Sequence, residues 1–176
     1  MHDVEVSRIR PERAGSSTVD FDAFFLVEYP KLVVLVTALC GRRAVAEEIV
    51  QEALLRAYRD WDRVCGLERP GGWARRVAIN LTFTAGRSSR REQRAYARVG
   101  LDPPVMLADP VSTKFWSEVR SLPPRQRAAV ALHYLEDLPL AEVAEVLECS
   151  VGTVKGQLFD ARRSLANKLG TQEVTP

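Results

Sequence analysis

The chain has 176 residues, with 25 Lys and Arg against 23 Asp and Glu, and 46% of its residues are apolar. This composition is typical of an ordinary soluble globular protein and excludes a chain that is disordered throughout. The length allows one large domain or two small ones, and it excludes a catalytic barrel.

Charge is distributed unevenly along the chain. Residues 20–62 contain eight acids and five bases, a net charge of −3, whereas residues 69–98 contain eight arginines and the single acid Glu92, a net charge of +7. This asymmetry favours a polyanion as partner over a membrane, because no charge-free run of about 18 apolar residues is present to span a bilayer. A solvated, arginine-rich helix is the simpler alternative.

The first residues and the cysteines indicate the compartment. Residues 1–19 mix charged residues with Gly and Ser, so we expect a disordered leader rather than a secretory signal, and a cytoplasmic protein. Cys40, Cys65 and Cys149 lack C-x-x-C spacing, which argues against a disulfide framework or a zinc site. His2 and His133 are too few for a metal site or a triad. We therefore predict no metal, no cofactor and no membrane association.

Apolar residues at helical spacing predict three helices after the leader. The first contains Pro30, where a helix must bend or restart. The second runs from about Ala44 to Trp61, and its apolar stripe includes Tyr58. A loop over residues 64–72 leads into a third helix near Trp73, which is the basic element.

In the second half of the chain, prolines mark the predicted linker and the starts of predicted helices. Residues 99–113 hold three prolines, too many for a helix interior, so we predict a flexible linker between two domains. Three further helices are expected, from Pro124 to about Leu135, after Pro139 to about Leu147, and from a Ser150 cap to about Leu169. A short tail over residues 171–176 follows.

The last two of these helices have the pattern of a helix-turn-helix. Ala144 is small enough for two helices to cross closely, and Val154, ten residues later, fills the core. The outward residues are types that reach phosphates and base edges in the major groove: Thr153, Lys155, Gln157, Arg162 and Arg163. A small helical bundle with a polar outer face would satisfy the same periodicity.

Four motifs together suggest a family. The runs AEEIVQEALLRAY over residues 46–58, WARRVAIN over 73–80, LPPRQR over 122–127 and CSVGTVK over 149–155 resemble bacterial RNA polymerase sigma factors of the extracytoplasmic-function (ECF) type. The resemblance extends over residues 20–169 and keeps the order and spacing of the motifs.

This resemblance implies an all-α fold of two small helical domains joined by a flexible linker, and a promoter-specificity subunit that is not an enzyme. Residues 20–98 are similar to sigma region 2, which contacts core RNA polymerase and melts the minus-ten element. The matching core-polymerase contacts are Glu48, Gln51, Glu52, Leu55 and Arg56. The loop over residues 65–72 would hold a flipped base of the non-template single strand. The matching minus-ten contacts are Arg75, Arg76, Asn80, Thr84, Arg87, Arg90 and Arg91.

Residues 114–170 resemble sigma region 4, the helix-turn-helix domain that binds the minus-thirty-five element as duplex. The matching contacts are Ser150, Thr153, Lys155, Gln157, Phe159, Arg162 and Arg163. Phe159 could instead cover the edge of the core. The resemblance also admits an anti-sigma protein as a regulatory partner.

The sequence departs from the family pattern at several positions. Glu148 stands in the helix-turn-helix turn where Gly is usual, and Glu meets a steric penalty at positive φ. Gly156, Gln157 and Asp160 replace residues that commonly contact DNA, so we expect fewer phosphate contacts. Thr84 stands where the family often has Asp.

Two alternative hypotheses assign the chain to other functional classes. A stand-alone transcription regulator could use the same helix-turn-helix without polymerase, although the motifs of the first domain argue against it. A small helical enzyme is the more distant alternative, because the sequence has no paired carboxylates, no Gly-rich phosphate loop and no nucleophile with an adjacent base.

Overall fold

The computed structural model describes residues 20–99 and 114–169, with side chains for residues 20–86 and 114–169. Within these ranges the chain is helical and contains no strand, which confirms the predicted all-α class. The predicted leader, nearly all of the predicted linker and the predicted tail lie outside the described residues.

Four helices form the first half: α1 (Phe21–Cys40), α2 (Arg43–Arg59), the single turn α3 (Trp61–Val64) and α4 (Pro70–Val99). The Asp20 carboxylate accepts a hydrogen bond from the backbone N–H of Asp22 at 3.3 Å and so caps the start of α1. Pro30 lies inside α1, so the helix does not restart there. Gly41, at φ +76°, ends α1 in a left-handed conformation that favours glycine.

The first core lies between α1, α2 and α4. These helices bury apolar side chains against one another. On α1 and α2 they are ones that the helical spacing predicts: Phe24, Leu32, Val36, Ile49, Val50 and Leu54. On α4, Ala78 is buried among them. Tyr58, predicted on the apolar stripe, is instead 62% exposed. Its ring packs edge-on against Phe21, with 5.0 Å between the centroids.

The second half contains α5 (Lys114–Ser121), α6 (Pro124–Val130), a π-helical turn (Ala131–Leu135), α7 (Leu140–Leu147) and α8 (Val151–Leu169). The predicted helices therefore begin and end close to the expected residues. Ser150 Oγ accepts a hydrogen bond from the Thr153 N–H at 3.0 Å, which confirms the predicted cap. Ala144 and Val154 are both buried where α7 and α8 meet.

The two halves pack directly against each other. Leu35 and Leu39 of α1 and Ile79 of α4 belong to the same buried cluster as the core of the second half. Helix α4 contacts α7, while α1 contacts α5 and the π-helical turn. The two predicted domains thus share an apolar interface.

One described helix, α1, is long and apolar enough to cross a membrane by length and composition alone. Half of its most apolar window is buried inside the protein. This burial is that of a core helix, since α1 packs on α2, α4 and α5.

Candidate nucleic-acid interface

Helix α8 presents one exposed strip of predicted duplex contacts. Lys155, Phe159 and Arg162 follow each other at spacings of four and three residues, which places them on one side of a helix. All three are exposed, and Phe159 is 63% exposed, so it does not cover the core. Arg163 lies exposed beside them.

Arg162 is held in place by a residue that the sequence does not single out. Its Nε donates a hydrogen bond to the Tyr134 hydroxyl at 2.7 Å, and its guanidinium carbon lies 5.8 Å from the centroid of that ring. Tyr134 lies in a different helical segment, the π-helical turn, so no local pattern points to this pairing. The contact orients the guanidinium while leaving it exposed for a phosphate.

The start of α8 carries the remaining predicted duplex contacts. The hydroxyl groups of Ser150 and Thr153 lie 2.8 Å apart, beside the positive end of the helix dipole. Thr153 and Gln157 are two residues from Lys155 on either side, which is about 200° around a helix. The seven predicted residues therefore form two strips. A Cβ added at Gly156, between them, would meet nothing within 4 Å.

The turn before α8 is strained at Glu148, the position where the sequence departs from the usual glycine. Glu148 adopts φ 52° and ψ 51°, a left-handed conformation that costs a non-glycine residue about 1–2 kcal/mol. Its carboxylate accepts a hydrogen bond from Arg76 Nη1 at 2.7 Å. The turn of the helix-turn-helix thus contacts the basic helix of the other half.

Helix α4 exposes part of the predicted strand-binding face. Asn80 is exposed one turn after Arg76, and Thr84 Oγ1 donates to the Asn80 carbonyl at 2.9 Å. Arg76 also donates through Nη2 to the Glu145 carbonyl at 2.7 Å. The predicted contacts Arg87, Arg90 and Arg91 lie on α4, but their side chains are outside the described part of the chain.

The loop predicted over residues 65–72 is shorter in the structure, because Pro70, Gly71 and Gly72 already form the start of α4. The loop and this first turn of α4 line a cleft of about 590 Å³. Leu67, Arg69 and Trp73 form one wall, and Glu142 and Val146 of α7 form the other. The residues predicted to hold a flipped base therefore do border a cavity, but the helix-turn-helix closes one side of it.

Arg75 is placed away from the other predicted strand contacts. It is 8% exposed, and it donates through Nη1 to Glu28 at 2.9 Å and through Nε to Glu136 at 2.7 Å. A Cβ at Gly71 would lie 2.7 Å from Arg75 Nη1, so glycine there lets the backbone approach this ion network. In this arrangement Arg75 joins the two halves.

The predicted polymerase-binding residues form one face of α2. Glu48, Gln51, Glu52, Leu55 and Arg56 recur at spacings of three and four residues and are exposed or half-buried. Arg56 Nε donates to Glu52 at 2.7 Å. The structure brings these five side chains together as a mixed acidic, amide and basic surface.

The described residues contain no group of three or more His, Cys, Asp or Glu that could hold a metal ion. Cys40, Cys65 and Cys149 are free thiols. Burial raises the pKa of the Cys40 thiol, which donates to the Arg42 carbonyl at 3.3 Å.

Comparison with known proteins assigns the chain to a family. Residues 25–92 match the family Sigma-70 region 2, and residues 113–165 match Sigma-70, region 4, so that together they take up more than half of the chain. The chain belongs to the sigma-70 family, whose members are the promoter-recognition subunits of RNA polymerase. Within that family it is a factor of the ECF type.

The individual proteins that the chain is similar to are also sigma factors. The chain is 27% identical to the ECF RNA polymerase sigma factor SigW of Bacillus subtilis, over 79% of this chain and 83% of the relative. It is 28% identical to the ECF RNA polymerase sigma-E factor of Haemophilus influenzae, over 79% and 82%. Its fold is similar to that of the sigma factor RpoE from Bartonella quintana, solved with the anti-sigma factor NepR, at a TM-score of 0.69 and 21% identity over 87% of this chain and 98% of that chain.

Proposed function

We propose that the two halves of this promoter-specificity subunit have different binding functions. The observation that carries the proposal is that two polar surfaces, on α4 and on α8, lie on separate helical units that match different sigma regions. The first half would bind core polymerase and capture the melted minus-ten strand, and the second would bind the minus-thirty-five duplex.

Core polymerase would dock on the α2 face formed by Glu48, Gln51, Glu52, Leu55 and Arg56. An exposed surface of mixed carboxylate, amide and guanidinium groups gives orientation and specificity at an interface. These side chains lie on the side of α2 opposite Val50 and Leu54, which are buried, so docking needs no change in the core.

Capture of the melted strand would centre on Asn80 and on residues 65–72, which form the loop before α4 and its first turn. The Asn80 amide has both a donor and an acceptor for a base edge and is exposed. Removing a base from the stack costs a few kcal/mol, and a pocket that binds only the unstacked base offsets that cost. Arg76, Thr84, Arg87, Arg90 and Arg91 follow along α4 to track the backbone. Arg75 would reach the strand only if the two halves part.

The duplex would contact the α8 strip of Lys155, Phe159 and Arg162, with Arg163 beside it. Ser150, Thr153 and Gln157 lie nearer the start of the helix, where backbone N–H groups favour a phosphate. Lysine and arginine supply most of the phosphate attraction in such complexes.

The chain would act in the cytoplasm, by binding alone and without catalysis of its own. An anti-sigma protein is a further proposed partner, since the structurally similar sigma factor of Bartonella quintana was solved with one. A stand-alone regulator, which would bind a long duplex tightly without polymerase, is not favoured, because residues 25–92 match region 2 in addition to the match of residues 113–165 to region 4.

Open-complex formation on duplex and premelted templates tests this division. Asn80→Ala should slow opening of a duplex promoter, and a premelted bubble should rescue it in part because pre-opening removes the unstacking cost. Lys155→Ala should gain much less from the bubble. Its affinity for duplex DNA should also depend less steeply on salt concentration, by the amount of about one phosphate contact. Equal rescue of both variants, or of neither, contradicts the division.

A further inference from the structure

We propose that Tyr134, which lies outside α8, is itself a duplex contact, and that its hydroxyl binds the same backbone phosphate as the guanidinium of Arg162. The two residues are here called the phosphate pair. Its ligand is one phosphodiester group of the duplex, so the pair extends the DNA surface from α8 onto the π-helical turn. The inference rests on the proposed function for the location of the duplex on α8.

The hydrogen bond within the phosphate pair leaves donors of both side chains unused. Arg162 Nε donates to the Tyr134 hydroxyl oxygen at 2.7 Å, so that oxygen is the acceptor and its own proton points elsewhere. The Nη groups of Arg162 also keep their N–H donors, and both side chains are exposed. A phosphodiester group has two unesterified oxygens, which can accept from the hydroxyl and from the guanidinium together.

The phosphate pair keeps the positive charge of its arginine available. Within the described ranges, Arg162 has no carboxylate partner, whereas Arg75 and Arg76 are both held by carboxylates. The neutral hydroxyl of Tyr134 therefore orients Arg162 without cancelling its charge. The guanidinium carbon also lies 5.8 Å from the centroid of the tyrosine ring, which restrains it further. A side chain that is already held loses less conformational freedom when it binds an anion.

The π-helical turn gives Tyr134 its position. In this turn the backbone N–H of Glu136 donates to the carbonyl of Ala131, five residues earlier, at 3.3 Å. Turns of this kind are rare and occur frequently at functional sites. Residues 128–132 are all buried, and Tyr134 is the first exposed side chain after them. The turn thus ends a buried run with an aromatic side chain that reaches α8.

His133 supports the tyrosine of the phosphate pair from its other side. The His133 ring packs edge-on against the Tyr134 ring, with 4.8 Å between the centroids. His133 Nδ1 lies 2.9 Å from the carbonyl oxygen of Leu138, and because a carbonyl can only accept, Nδ1 is the donor. This bond ties the His133 ring to the segment before α7. Tyr134 is therefore held between His133 and Arg162, and the phosphate pair is arranged before DNA binds.

Binding of the full-length chain to a short labelled duplex of mixed sequence, over a series of salt concentrations, tests the phosphate pair. Tyr134→Phe keeps the ring but removes the hydroxyl, and it should weaken binding about three- to tenfold. Its salt dependence should stay as steep as that of the parent, because a phenol carries no charge, whereas Arg162→Ala should lose the slope of about one phosphate contact. The control Tyr58→Phe removes a hydroxyl from another exposed tyrosine. Equal affinities of the two tyrosine variants overturn the inference.

A second comparison separates a direct phosphate contact from a hydroxyl that only orients Arg162. In a chain that already carries Arg162→Ala, adding Tyr134→Phe should weaken duplex binding by a further factor of about two or more, because the hydroxyl still reaches the phosphate. If Tyr134→Phe lowers the affinity only while Arg162 is present, the hydroxyl acts through the arginine alone and the direct contact is wrong. The loss should also be the same for duplexes of different sequence, since phosphate contacts carry no sequence information.

The variant Lys155→Ala tells failure of this inference apart from failure of the proposed duplex surface. If Lys155→Ala and Arg162→Ala weaken duplex binding but Tyr134→Phe does not, the phosphate pair is rejected and the α8 surface is retained. If Tyr134→Phe and Arg162→Ala weaken binding but Lys155→Ala does not, the pair is supported and the proposed strip on α8 is not.

Discussion

The same substitution, Gly→Ala, should have opposite effects on stability at two positions of the first half. Gly41 has φ +76°, and a Cβ there would lie 2.8 Å from Arg120 Nε. Gly86 lies inside α4, and a Cβ there would meet nothing within 4 Å. Gly41→Ala therefore forces alanine into a left-handed conformation and displaces a side chain, whereas Gly86→Ala only improves a helix.

The magnitudes follow from the backbone conformations. Alanine in the left-handed region costs about 1–2 kcal/mol, so Gly41→Ala should lower the free energy of unfolding by at least that amount. Gly86→Ala should raise it by about 0.5–1 kcal/mol, because glycine is a poor residue in a helix interior. For a chain of this size each kcal/mol moves the unfolding midpoint by about 2–4 °C. The midpoints of the two variants should therefore differ by roughly 3–12 °C.

Thermal unfolding followed by circular dichroism at matched protein concentration measures this difference. Both variants should keep the helical spectrum of the parent chain at low temperature. If Gly41→Ala unfolds at or above the parent midpoint, or if Gly86→Ala unfolds well below it, then the backbone conformations assigned to these two glycines are wrong.

Two further predictions concern charged surfaces. Arg75→Met should lower the unfolding midpoint by several °C more than Arg76→Met, because Arg75 pairs with two buried carboxylates, whereas Arg76 pairs with an exposed one. Without Arg75, Glu136 loses its ion pair and Glu28 keeps only Lys31, at 3.7 Å. Equal shifts in thermal unfolding would contradict this. The double variant Gln51→Ala with Glu52→Ala should weaken binding to core polymerase and leave the circular dichroism spectrum intact, since both residues lie outside the core. A pull-down titration measures the affinity, with Arg59→Ala as the control. Unchanged affinity of the double variant would contradict the assignment of this face to polymerase binding.

The sequence predicts the helices of this fold well wherever local rules decide. The Ser150 cap, the start of α6 at the paired prolines Pro123 and Pro124, and the burial of Ala144 all depend on neighbours close in sequence, and all are confirmed. The exposure of Tyr58 was missed, since apolar periodicity does not reveal where a core ends. The short helix α3 was also missed, because a single turn carries too few residues for a period.

The contacts between the two halves could not be predicted from local pattern. Arg75 and Glu136 are 61 residues apart and Arg76 and Glu148 are 72 residues apart, and no period or motif links such positions. The candidate surfaces on α2 and α8 were predictable because each lies on one helix. The burial of Arg75 was not, because its environment is built by three separate elements.

Transcription from a promoter library by core RNA polymerase, with and without this chain, measures whether the chain gives the polymerase its choice of promoter. Core polymerase alone should start transcription without selection, and adding the chain should produce initiation at a defined set of promoters that share minus-thirty-five and minus-ten elements. If the chain leaves the start sites unchanged, while the free protein binds a long duplex tightly and specifically, the chain does not act as a sigma subunit.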